Sequence, residues 1–173
     1  MTDGPDVEME LVGVRVEMPS NTPIVVLRER GGLRRYLSIF IGAPEATAIA
    51  FALEGVETPR PLTHDLLCTV VEAMGATLAR VVVTELRDTT YYAELHLDHG
   101  GEQVVVSSRP SDAIALAARV GCPILSANAV LVEAGYLDDA DVEVDEEPDV
   151  DPDEVVEEFR HFIDSVNPDD FAS

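Results

Sequence analysis

The sequence predicts an α+β fold: antiparallel strands in hairpins and a meander, helices inserted between them, and a single compact domain followed by a C-terminal helix. Three observations predict it. Apolar residues alternate with polar ones in segments grouped by threes and joined by glycine-bearing turns. Apolar residues at helical spacing fall in separate blocks between those groups, so helices do not alternate one by one with strands. Beyond residue 137 the periodicity stops in a run of acids.

The first strand is read at 9–18, where Val12, Val14 and Val16 share one side. Residues 23–30 and 33–41 form a hairpin around Gly31-Gly32, since paired glycines supply the positive φ of a tight turn. A first helix runs from Pro44 or Glu45 to Glu54, turns Ala46, Ile49, Ala50 and Leu53 inward and stops at Gly55. A second starts near Thr63, buries Leu67, Val70, Val71 and Met74, and stops at Gly75. A meander follows at 78–86, 90–98 and 102–108, with one of Tyr91 and Tyr92 facing inward. The third helix covers 110–120 and closes at Gly121; residues 122–125 make a short strand, and Ser126 caps a fourth helix that Gly135 ends.

This gives a domain over 7–137. Residues 138–150, almost only acids, valine and proline, read as a solvated linker. Residues 151–167 read as an amphipathic helix that opens on Asp151-Pro152-Asp153-Glu154 and lines Val155, Phe159, Phe162 and Val166 along one stripe. That stripe docks on its own domain, on another subunit or on a protein partner.

Charge narrows the function classes. The net charge is −23, lysine is absent, and 17 of the 34 acids fall in residues 133–173 beside one arginine, Arg160. A positive field for loose binding to nucleic acid is missing, so any contact with nucleic acid is confined to a local arginine site. No apolar run reaches the roughly 18–20 residues of a membrane helix, and the acidic N-terminus lacks a signal core, so a cytoplasmic protein without membrane contact is expected. Cys68 and Cys122 lie far apart in apolar surroundings and read as small hydrophobes rather than zinc ligands. His96 and His99 face opposite sides of a strand end. Arg30, Arg34 and Arg35 form a basic patch at the hairpin tip that either contacts phosphate or keeps an edge strand soluble.

The segment "SSRPSDAIALAARVGCPILS", 107–126, carries the chemistry in question. Proline pushes the residue before it out of the α region, so Arg109 becomes the cap, Pro110 the first helical residue and Asp112 the third. There a carboxylate gains about 0.3–1 kcal/mol from the helix dipole. Arg109, a poor cap, is left without a role. The same grammar recurs in "RPLTHD", 60–65. Two readings stand side by side. In one, these residues only start helices. In the other, the two ends converge: Asp65 and Asp112 share a divalent cation, Arg60, Arg109 and Ser111 hold a phosphodiester, and His64 acts as general base, the combination that phosphodiester hydrolysis needs.

With those residues in view, and with "FIGAPEATAIAFALEG" and "TYYAELHL" beside them, the chain resembles the bifunctional nuclease domain family over roughly residues 7–137. The resemblance implies a compact, self-associating α+β domain and cleavage of DNA and RNA with a divalent metal such as Mg²⁺ or Mn²⁺. Its motif positions here are His64 and Asp65 in the first motif, and Arg109, Ser111 and Asp112 in the second. Some relatives continue into a coiled-coil module associated with DNA repair; the acidic tail departs from that pattern and places negative charge where it competes with nucleic acid for the arginines. Beside a metal-dependent nuclease stand two other readings: a non-catalytic regulatory or adaptor protein working through the helix 151–167, and a domain binding a small anionic ligand.

Overall fold

A computed structural model describes residues 4–138. Within them the chain forms β1 (Val7–Glu17), β2 (Thr22–Glu29), β3 (Tyr36–Phe40), α1 (Ala43–Glu54), α2 (Thr63–Ala73), β4 (Ala76–Arg87), β5 (Thr90–His99), β6 (Glu102–Ser108), α3 (Pro110–Val120), β7 (Ile124–Ser126) and α4 (Asn128–Ala134). The α+β class and the order of elements are as the sequence predicts. All of the linker except Asp138, and the helix expected at 151–167, lie outside the described residues.

The strands make one seven-stranded sheet in the order β3-β2-β1-β7-β4-β5-β6. Two antiparallel groups, β1–β3 and β4–β6, are joined through β7, which pairs antiparallel with β1 and parallel with β4. Ile124 and Leu125 of "CPIL" and the following serine thus bridge the halves of the fold. Between β2 and β3, Gly31 and Gly32 take φ of 83° and 55°, as the hairpin requires. Arg35 is not part of an exposed basic tip: its guanidinium grips the buried Glu29 carboxylate at 2.8 and 3.1 Å and reaches Asn128 of α4.

One face of the sheet carries the core. Met9, Val25, Leu27, Leu37, Val81 and Val83 are among its buried strand residues, beneath α1 and α3. In α3 every residue from Ala113 to Ala117 is buried, and three of these five are alanine. Small side chains let the helix lie deep against β4 and β5, with α1 on one side and α2 on the other. Cys68 and Cys122 pack half-buried against this core; burial raises both thiols, Cys122 up to about 11.

Three expectations need correction. Helix α2 does not bury Leu67, Val70 and Met74; these are exposed, as is Leu66, and none of its residues is fully buried. It sits at the rim and turns His64, Asp65 and Cys68 toward the domain, so its apolar stripe faces away. Leu53, at the last turn of α1, is likewise exposed. Ser126 belongs to β7 and is fully buried, while Ala127 stands at the start of α4, because the parallel pairing with β4 carries the strand one residue further than its composition suggests.

Candidate active site

The first turns of three helices meet. Glu45 is the third residue of α1, His64 the second of α2, and Asp112 the third of α3, with Arg109 capping α3 in an extended conformation before Pro110. The Arg109 guanidinium binds Asp112 through Nε at 2.7 Å and Nη2 at 3.0 Å, and Nη2 also lies 2.9 Å from Glu45. From the other side, His64 Nε2 donates to Asp112 Oδ1 at 2.9 Å. The result is a continuous chain of contacts, Glu45–Arg109–Asp112–His64. Local sequence explains each placement. Pro110 holds Arg109 out of the helix. Gly42 leaves space beside Glu45, because a Cβ there would run into its carboxylate.

Electrostatics follow from this arrangement. Burial would raise the Asp112 carboxyl, but Arg109 and His64 outweigh it and hold the group below the usual carboxylate range. Arg109 is raised, chiefly by its bonds to Asp112. His64 is 13% exposed and Arg109 65%, so the chain of contacts runs from a sheltered imidazole to an open guanidinium. With Nε2–H committed to Asp112, Nδ1 of a neutral ring is the nitrogen left to accept a proton.

The look-alike motif 60–65 behaves differently. Asp65 accepts the Leu62 N–H at 2.8 Å, closing the start of its own helix, and binds Arg119 Nε at 2.5 Å. Arg119 also donates to the carbonyls of Ala48 and Ala115, tying α1, α2 and α3 together. Burial raises the Asp65 carboxyl; Arg119 and the Leu62 N–H together lower it further than that. Arg60 is exposed and has no ion-pair partner among the described residues, while Ser111 is buried.

The structure therefore brings His64, Arg109 and Asp112 together and sends Asp65 to a different arginine. Arg109 and Arg119 stand ten residues apart, about 15 Å along the helical rise. Glu45 and Arg119 are the residues that sequence reasoning missed; a glutamate in a first turn and an arginine in a last turn read as ordinary helix-end charges. A cation shared by Asp65 and Asp112 does not fit this donor set: each carboxylate is already bound by an arginine, and among the described residues no group of three His, Cys, Asp or Glu is arranged to hold a metal. A cavity of about 260 Å³ lined by Phe51, Val56, Leu62, Asp65 and Arg119 lies beside the Asp65–Arg119 pair. No helix among the described residues is long and apolar enough to cross a membrane.

The model of the bifunctional nuclease domain matches residues 25–139, a span that holds every residue of both clusters. The chain belongs to the bifunctional nuclease domain family. An uncharacterized protein of Mycobacterium tuberculosis is 48% identical over 166 residues, covering 96% of this chain and 98% of its own. Bifunctional nuclease 1 of Arabidopsis thaliana is 31% identical over 105 residues, 59% of this chain and 32% of that protein. Bifunctional nuclease 2 of the same plant is 30% identical over 112 residues, 62% and 34%. The matched stretch is about a third of each plant protein's length.

Proposed function

We propose that this protein hydrolyses phosphodiester bonds of nucleic acid at the Glu45–Arg109–Asp112–His64 cluster. Membership of the bifunctional nuclease domain family and the names of the plant relatives support the reaction class. The observation that carries the site is the bond from His64 Nε2 to Asp112 Oδ1. Asp112 fixes the ring and its tautomer and stabilises the imidazolium that forms when Nδ1 takes a proton from water. Arg109, open to solvent, leaves Glu45 and Asp112 for the phosphate, and the N-terminal amides of α1, α2 and α3 add positive potential toward it. A divalent metal would supply an activated water and charge for the phosphoryl oxygens. The donor set does not fit one as arranged, and the steps above run through side chains alone.

A second reading is favoured by one observation: every charge in this chain of contacts already has a protein partner, as in a non-catalytic protein that uses these residues to join helices. The experiment that separates the two is cleavage of single-stranded DNA and RNA by the full chain and by His64→Ala, in Mg²⁺, Mn²⁺ or EDTA. Loss of the base lowers cleavage by about 10²–10⁴. Equal cleavage by both proteins contradicts the site. Cleavage that EDTA abolishes and Mg²⁺ restores moves the chemistry to a cation.

A further inference from the structure

We propose that the cavity between the last turns of α1 and α3 and the first turn of α2 is a binding site for a guanine base. Its volume is about 260 Å³. Drug-sized ligands occupy pockets of roughly 300–1,000 Å³, so the occupant is no larger than a base or a nucleoside. Phe51, Val56 and Leu62 supply apolar walls. Ala52 and Ala118 also line it, and their short side chains leave room for a flat ring. The polar side chains of the lining are Glu57, Asp65 and Arg119.

Arg119 is 11% exposed and is held in one orientation. Its Nε donates to Asp65 Oδ1, and its Nη1 donates to the carbonyls of Ala48 and Ala115. Nη2 makes no hydrogen bond among the described residues. It is not sealed in either, since the one enclosed side-chain nitrogen or oxygen without a partner among them is His96 Nε2. A sheltered guanidinium with an open donor calls for an acceptor from the cavity. Asp65 takes Arg119 on one oxygen and the Leu62 N–H on the other, and each oxygen keeps a lone pair for a further donor. Burial raises this carboxyl, but Arg119 and the Leu62 N–H together hold it below the usual range, so it stays ionised.

Charge and hydrogen bonding select the occupant. The lining sets two acids against a single arginine, in a chain of net charge −23, which turns away phosphate and carboxylate ligands. A matching ligand is neutral and planar, with an acceptor for Arg119 beside two donors for the acids. Guanine has that arrangement along a single edge, where O6 stands next to the N1–H and the N2 amino group. Adenine has an amino group there but no ring N–H, and each pyrimidine has only one donor group. Consecutive residues of α2 divide the work: His64 turns to Asp112 and Asp65 to Arg119. The cavity thus adjoins the His64–Asp112 cluster without sharing a side chain with it, and base binding does not depend on cleavage there.

The full chain is titrated with guanosine and with adenosine by isothermal titration calorimetry. Guanosine binds, and adenosine binds more weakly by about tenfold or more, for want of the ring N–H that a carboxylate accepts. Glu57→Gln, on the exposed loop between α1 and α2, weakens guanosine about tenfold by removing a charged acceptor. Val56→Trp fills the cavity and abolishes binding with an unchanged circular dichroism spectrum. An oligothymidylate with one central deoxyguanosine separates the two sources of the base. Tighter binding than guanosine assigns the site to a strand, no gain assigns it to a free nucleoside, and a guanine preference in either supports it. Equal affinity for guanosine and adenosine overturns the proposal, as does guanosine binding that Val56→Trp leaves intact, or no binding at millimolar guanosine. Inorganic phosphate that displaces guanosine overturns it in favour of an anion site.

Discussion

Two aspartates at the same helical position, one five residues and the other three after the arginine of an Arg-Pro pair, end in different work. Asp65 accepts its own helix start and anchors Arg119; Asp112 orients His64 and holds Arg109. In the folded chain both carboxyls titrate below the usual range. A depressed carboxyl adds stability that is complete above the unfolded value, near pH 4, and is lost as pH falls through the lower folded value. Asp65→Asn therefore costs about 1 kcal/mol at pH 7, a figure kept small by the water that reaches this pair. The gap to wild type closes at pH values below the folded one. Urea melts at pH 7 and in steps down to pH 2 check this. At Gly42, alanine displaces the Glu45 carboxylate and releases one of the two acids from Arg109. The expected outcome is tighter binding of a short single-stranded DNA by Gly42→Ala, read by fluorescence anisotropy.

At the scale of elements, α3 is the part on which packing depends. Its buried alanines set how closely the helix approaches the sheet, and Ala115, with no exposed surface, has no room for a larger side chain. Ala115→Leu overpacks the core and costs about 1–3 kcal/mol in a thermal or urea melt. Gly121, at φ 72°, ends the same helix in the left-handed region, and Gly121→Ala costs about 1 kcal/mol or more. Strands β1 to β6 and the ends of α1, α2 and α3 were legible because alternation, glycine turns and proline caps are local signals, whereas the start of α4 was not. The parallel pairing of β7 with β4 was not, since a strand of three residues names no partner and the contact joins residues about forty apart in sequence. Nor does an apolar stripe say what will cover it: Leu67, Val70 and Met74 have core-like spacing yet face out of the domain.

For the whole molecule, the arginine–proline grammar marked two helix starts but could not tell which would meet His64 across space; that depends on how the first turn of α2 crosses α3, a tertiary fact. The charge distribution was fully legible, and it carries a consequence. Most of the acids after Glu133 lie beyond Asp138, so a chain ending at Asp138 sheds much of the repulsion felt by a polyanion. It binds single-stranded DNA more tightly than the full chain at low salt, and the difference narrows as salt screens the tail. The measurement that tests the central claim most directly is the cleavage rate of Asp112→Asn beside Asp65→Asn, both confirmed folded at the assay temperature. The geometry predicts that Asp112→Asn loses about a hundredfold or more, because His64 loses its orienting carboxylate, while Asp65→Asn cuts close to the wild-type rate. Equal losses in the two variants, or full activity in Asp112→Asn, would contradict it.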